Sequence, residues 1–156
     1  MSLAFNAAEI FTMAEQIERN GAEFYRTAAA QVDDQAAKDL LLQFAAMEDD
    51  HLETFSGMKT DLAKLETKAA TFDPEGEAGL YLASLANTKV FFEKDIDTTG
   101  MEGIFKTAIA AEKDSILFYL GMRDLVPASL GSAKVEEIIR EEMRHVRILG
   151  EKLAAL

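Results

Sequence analysis

Apolar residues recur at three- and four-residue steps through most of the chain. Ile10, Ala14, Ile17, Gly21, Phe24 and Ala28 form one such series, which lies along a single face of a helix. The spacing predicts a first helix over residues 7–30, opened by Asn6 with Glu9 in the arrangement of a capping box. A second stripe, with Leu41, Phe44, Ala45, Leu52 and Phe55, predicts a helix from residue 35 to the mid 60s, with Asp33 and Asp34 placed to cap it. Asp73-Pro74 pairs an N-cap residue with proline at the first helical position and predicts a shorter helix over 74–87. The stretch NTKVFFEKDIDTTG that follows reads as a loop. Another long helix is expected over 101–125, ending before Pro127, and a last one from Gly131 or Ser132 almost to the C-terminus.

The two prolines, Pro74 and Pro127, lie outside the long periodic stretches, and Ala, Leu, Glu and Lys dominate over β-branched residues. Four long helices and one short helix, the short one inside a long connection, predict an all-α protein: an antiparallel four-helix bundle with a long crossover. The crossover makes the second and third long helices parallel neighbours across the bundle rather than a hairpin pair. No Gly-, Pro- or Ser-rich linker interrupts the pattern, so residues 1–156 read as one domain.

Polar residues break into the apolar stripes at a few places, and those places repeat. ERNGAEFY at 18–25 aligns with EKDSILFY at 112–119, and EDDH at 48–51 aligns with EMRH at 142–145. Glu18 and Glu48 are 30 positions apart, as are Glu112 and Glu142, so one offset of 94 maps the first helix pair onto the second without a gap. The two histidines of the chain each follow a glutamate by three residues. Residues three, four and seven positions away share a helical face. Around Glu18 these include Phe11, Ala14 and Tyr25, and around Glu48 they include Leu41, Phe44, His51 and Phe55. Around Glu112 they include Phe105, Ala108 and Tyr119, and around Glu142 they include Val135, Ile138, His145 and Leu149. Four glutamates and two histidines therefore point into the core, while most other acidic residues fall on outer faces.

Composition narrows what such a core could be for. The 28 acidic against 16 basic residues give a net charge of −12, which disfavours nucleic acid and anionic lipid as partners. The absence of cysteine excludes disulfides, thiolate zinc sites and cysteine-ligated iron–sulfur clusters. No apolar run is long enough to span a bilayer, and MSLAFNAAEIF lacks a basic start and a cleavage site, so a soluble, cytoplasmic protein is expected. Four carboxylates in one core cannot stay ionised unpaired, because desolvation and mutual repulsion both drive protons onto them. Two divalent cations cancel that charge. Four Glu and two neutral His give each ion an oxygen-rich shell with one nitrogen, which suits iron or manganese better than structural zinc.

One Glu from each of two helices and Glu-x-x-His from each of two others resembles the ferritin-like diiron-carboxylate superfamily. The phrases IERNGAEFYRTAA and AAEKDSILFYLGM are most similar to the rubrerythrin-type diiron domain, and the resemblance covers nearly the whole chain. It implies two iron ions, with manganese or a mixed pair as the alternative, held by Glu18, Glu48, His51, Glu112, Glu142 and His145. It implies that Tyr25 and Tyr119 orient the carboxylates. Rubrerythrins usually carry a further carboxylate one turn along the third long helix, where this chain has Ile109 and Ser115. The repeat-mate of Ile109 is Glu15, which makes Glu15 an additional ligand candidate. The cysteine-ligated rubredoxin domain of rubrerythrins has no counterpart in this sequence, so electrons would come from a separate donor protein.

The activity that this resemblance implies is oxidoreduction of peroxide or O2 by a homodimer. A ferroxidase or iron-handling role, and a non-catalytic bundle stabilised by metal, are the alternatives. The methionines, among them Met13, Met47 and Met122, read as core filler, and Asp49 and Asp50 as solvated.

Overall fold

The computed structural model describes residues 7–65, 77–87 and 100–156. Among these residues five α-helices follow one another: α1 (Ala7–Ala29), α2 (Gln35–Leu65), α3 (Glu77–Asn87), α4 (Met101–Leu125) and α5 (Ser132–Ala154), with a 3-10 turn at Ala128–Leu130. These are the expected helices at close to the expected boundaries. The Asn6 cap, the Asp73-Pro74 start of the short helix and residues 88–99 of the expected loop lie outside the described residues.

Local chemistry accounts for the ends that are described. Asp34 Oδ2 accepts a hydrogen bond from the Ala37 amide at 2.8 Å, satisfying one of the free N–H groups that open α2. Pro127 follows α4 in extended conformation, and the 3-10 turn ends at Gly131, whose φ of 100° is left-handed. Glycine adopts that conformation without the clash a Cβ would bring, and α5 starts at the next residue.

The helices pair as two hairpins, α1 with α2 and α4 with α5. The hairpins meet with α1 facing α4 and α2 facing α5. Side-chain contacts give the directions. Glu18 on α1 meets Tyr119 on α4, while Tyr25 further along α1 meets Glu112 earlier on α4, so these helices are antiparallel. On the other side His51 meets Glu142, while the earlier Glu48 meets the later His145, so α2 and α5 are antiparallel too. Since α1 also runs against α2 (Glu15 contacts Ser56 and Glu18 approaches His51), α2 and α4 are parallel. They stand on the diagonal of the bundle and make no close backbone approach, which refines the expected relation between them.

Helix α3 lies against α4. A Cβ at Gly121 would fall 2.6 Å from Tyr81 Cδ1 and 2.9 Å from Leu82 Cδ2, so only glycine lets α3 approach this closely. The Tyr81 hydroxyl donates to the Leu117 carbonyl at 2.7 Å.

The core is divided in two. One apolar cluster contains Ile10, Phe11, Phe55, Met58, Phe118, Tyr119 and Ile139; the other contains Phe24, Tyr25, Leu41, Phe44, Ile104, Phe105 and Leu149. Along every long helix the motif glutamate falls between these two clusters in sequence. Burial of the apolar layers supplies the hydrophobic drive for folding and fixes the helices around the polar layer between them. None of the described helices is long and apolar enough to cross a membrane.

Candidate metal centre

Glu18, Glu48, His51, Glu112, Glu142 and His145 are all buried, none more than 4 % exposed. They form two groups of four. In each group one ligand atom from every residue lies within 4.8 Å of the others: Glu18, Glu48, His51 and Glu142 in one, Glu48, Glu112, Glu142 and His145 in the other. Glu48 and Glu142 belong to both.

The distances show how the sharing works. Glu142 Oε1 is 2.9 Å from His51 Nδ1, and its Oε2 is 3.3 Å from His145 Nδ1. Glu48 Oε2 is 3.9 Å from His51 Nδ1, and its Oε1 is 3.9 Å from His145 Nδ1. Each of these two carboxylates thus turns one oxygen toward each histidine. Glu18 and Glu112 serve one side only: Glu18 Oε2 is 3.5 Å from His51 Nδ1 and Glu112 Oε1 is 3.3 Å from His145 Nδ1. The imidazole centroids are 6.5 Å apart, with the rings near parallel.

Two tyrosines close the layer from opposite ends. The Tyr119 hydroxyl donates to Glu18 Oε1 at 2.5 Å, and the Tyr25 hydroxyl donates to Glu112 Oε1. Phe44 stacks on His145 with centroids 4.2 Å apart, and Phe55 packs on Tyr119. Gly21 leaves room for a carboxylate: a Cβ there would sit 3.3 Å from Glu48 Cδ.

Electrostatics separate the groups. Burial pushes Glu48 and Glu142 well above the usual carboxylate range, and repulsion from Glu18 and Glu112 on the first, and from Glu112 and Glu48 on the second, adds to it. Burial also raises Glu18, with Glu142 repelling it. On Glu112 burial acts upward as well, but contacts with Glu142, His145 and the Tyr25 hydroxyl hold it below the usual range. Burial opposes a charge on His145, yet Glu112 and Glu142 outweigh it and raise the imidazole to about 10; His51 is raised in the same way by Glu142, Glu18 and Glu48. Burial and the adjoining carboxylates push both tyrosines well above the ordinary phenol range, keeping them as donors.

Within the cluster, four buried atoms have no aligned hydrogen-bond partner: Glu18 Oε2, both carboxylate oxygens of Glu142, and His51 Nδ1. Buried polar atoms are nearly always satisfied. Here the orphans converge on one another from three helices, which is the pattern of a site shaped for cations. The donor chemistry fits hard to borderline divalent ions.

Glu15 lies outside both groups. Its carboxylate accepts from Ser56 Oγ at 2.7 Å and pairs with Lys59 Nζ at 3.0 Å. Burial tends to raise its pKa, but those two partners bring it below the usual value.

Two residues were not anticipated as parts of the site. Glu141 Oε2 lies 2.5 Å from His51 Nε2, and Met47 Sδ lies 3.3 Å from His145 Nε2. Glu141 is not among the candidate ligands that the pattern singles out, and Met47 reads from the pattern as core filler. The available signal was the repeat itself: each stands immediately before a Glu-x-x-His. Of the two acids beside His51, Asp49 is partly exposed and pairs with Arg26, and Asp50 is exposed.

The fold and the cluster together define a ferritin-like helical bundle with a buried carboxylate–histidine site. No protein-family model matches the sequence, and no curated protein matches it. Among solved structures, the chain is similar to one described as a candidate ferritin-like diiron-carboxylate protein from Thermotoga maritima. The TM-score is 0.70 at 25% sequence identity, and the match covers 97% of this chain and 96% of that one. The resemblance to the ferritin-like diiron-carboxylate superfamily thus holds in fold and in site chemistry.

Proposed function

We propose that the protein binds two divalent metal ions, iron in the first instance, and acts as an oxidoreductase on peroxide or O2. A separate protein would donate the electrons. Glu18 and His51 would hold one ion, Glu112 and His145 the other, and Glu48 and Glu142 would contact both. A pair of irons supplies two electrons, the number needed to reduce one peroxide. The chain's own residues supply the surroundings. Tyr25 and Tyr119 keep Glu112 and Glu18 oriented and retain their protons. Phe44 and Phe55 pack against His145 and Tyr119 and limit water at the site.

One observation carries this reading: four carboxylates and two imidazoles from four helices converge in the core, with Glu18 and Glu142 oxygens left unsatisfied. The likeness to the Thermotoga maritima protein supports iron over manganese or a mixed pair. The rubrerythrin-type sequence phrases support peroxide as the oxidant and a homodimer as the assembly.

The test starts with metal content per chain in protein purified without chelator, for the wild type and for His51→Ala and His145→Ala. Two ions per wild-type chain are expected, with a loss in each variant. Anaerobic Fe(II)-loaded protein mixed with peroxide should then oxidise rapidly, at one peroxide per pair of irons, with a new near-ultraviolet band. Slow oxidation without fixed stoichiometry would overturn the enzymatic reading. Equal binding of zinc with no redox change would point to a bundle that metal merely stabilises. Sedimentation separates catalysis in a dimer from iron storage, which requires a closed shell.

A further inference from the structure

The internal repeat makes the two halves of the site nearly equivalent. Tyr25 and Tyr119 exchange hydrogen bonds with Glu112 and Glu18, and Glu48 and Glu142 each divide their oxygens between the histidines. The equivalence fails behind the imidazoles. The offset of 94 that relates the halves maps Met47 onto Glu141. Each side chain crosses from its own helix to the histidine of the facing one: Glu141 on α5 to His51 on α2, and Met47 on α2 to His145 on α5. One histidine has a carboxylate at 2.5 Å behind its Nε2, and the other has a thioether at 3.3 Å.

Both histidines turn Nδ1 inward to the carboxylates, so with a cation held at Nδ1 the outward N–H would be on Nε2. A carboxylate accepting that hydrogen makes the imidazole a stronger donor and adds a negative charge close to the bound cation. A thioether is a neutral, weak acceptor and does neither. The surroundings of His145 are further depleted of polarity by Phe44, which stacks on its ring.

We propose that Glu141 and Met47 make the two metal positions inequivalent, so that the position built by Glu18 and His51 binds a divalent cation more tightly than the one built by Glu112 and His145. The proposal rests on the two-metal reading above and assigns an order of filling within it. Groups hydrogen-bonded to a ligating histidine change metal affinity by roughly 10- to 100-fold, which sets the expected gap between the two positions. Glu141 is a positioning residue here: its side chain is 38% exposed and acts on the metal through His51. Both Glu141 and Met47 line a surface groove of about 630 Å³, bordered also by Asp50, Glu53 and Glu137, and Met47 packs from there against the apolar cluster that contains Phe44, so the folding check matters most for its variants.

The test titrates metal-free protein with Co(II), followed by calorimetry and by ligand-field absorbance, with circular dichroism to check folding. The wild type should bind two ions in two steps separated by roughly 10- to 100-fold. His51→Ala should remove the tighter step and His145→Ala the weaker one. Glu141→Leu should weaken the tighter step by a similar factor, while Glu141→Gln, which can still accept the hydrogen, should lose less. Met47→Glu should strengthen the weaker step and draw the two together, and Met47→Leu should change little. Met47→Glu decides alone if Glu141→Leu does not fold. Two equal steps in the wild type, or a Met47→Glu isotherm identical to wild type, would overturn the proposal while leaving the two-metal reading standing. Failure of the wild type to bind two ions would defeat that reading instead.

Discussion

The Tyr119 hydroxyl on α4 donates to Glu18 on α1 across 2.5 Å, and Tyr25 on α1 returns the same contact to Glu112 on α4. Each half of the repeat therefore holds a carboxylate of the other half. Every atom of this exchange is buried, so neither carboxylate has water as a substitute partner.

Removing either hydroxyl should be costly. Tyr119→Phe leaves Glu18 with an additional unsatisfied oxygen, and Tyr25→Phe leaves Glu112 Oε1 with only its longer contact to His145 Nδ1 at 3.3 Å. A hydrogen bond to a charged, buried group is worth about 1.5–3 kcal/mol, so each variant should lose that much in urea unfolding of metal-free protein. Metal affinity should fall as well, because the freed carboxylate is no longer oriented. Wild-type stability in both variants would refute a structural role for the exchange.

The metal-free protein should lose stability as pH rises. Glu48 and Glu142 have folded pKa values well above 4.5, so their stabilising contribution is complete below that value and is lost as pH climbs from it toward the folded values. His145 contributes fully below 6.5, and its contribution is lost as pH rises through about 10. Glu112, whose folded pKa is lowered, works the other way: its contribution is present above 4.5 and is lost as pH falls through the lowered value. More groups favour the protonated side, so thermal midpoints of metal-free protein should decline from about pH 5 to 10. Two equivalents of Mn(II) should flatten or invert that slope and release protons on binding, since the ligands must deprotonate to bind. A metal-free midpoint that does not change with pH would contradict the electrostatic account.

Gly21→Ala should separate stability from metal binding. Alanine is favoured over glycine inside a helix by about 0.8–1.0 kcal/mol. The added Cβ would lie 3.3 Å from Glu48 Cδ, a contact tight enough to displace that carboxylate. Metal-free protein should therefore unfold at an equal or slightly higher urea concentration, while Co(II) binds more weakly. Unchanged binding would mean that Glu48 moves aside at no cost.

Gly121→Ala should do the reverse. Its Cβ would collide with Tyr81 at 2.6 Å and force α3 away from α4. Overpacking of this kind costs about 1–3 kcal/mol. None of the metal-facing residues lies on α3, so the number of Co(II) ions bound per chain should stay the same. Thermal unfolding and metal titration on the same sample check both halves of the expectation.

Much of the fold follows from local signals. The stripe from Ile10 to Ala28 is buried except at the partly exposed Gly21, and α2 starts where Asp34 can cap it. Boundaries were legible because helix termini depend on nearby side chains. The six candidate ligands were legible because a charged residue within an apolar stripe needs a partner, and the repeat showed four such residues at matched spacing.

The same reasoning could not resolve what depends on helix rotation and depth. Glu15 sits one turn before Glu18 and faces inward by periodicity, yet Ser56 and Lys59 on α2 take its carboxylate. Glu141 looks outward on its own helix, yet the approach of α2 brings His51 within 2.5 Å of it. Periodicity assigns a side chain to a face, but it does not say which atom of the facing helix stands opposite.

That four glutamates and two histidines enter the core can be read from linear order, because the 3.6-residue period and the 94-residue offset are properties of one chain. That Glu48 and Glu142 span both halves while Glu18 and Glu112 serve one each, and that Glu141 and Met47 stand behind opposite histidines, emerges from the packing of the helices. Those distinctions rest on distances of a few ångströms between helices, and such distances are set by how the two apolar layers pack on either side of the site.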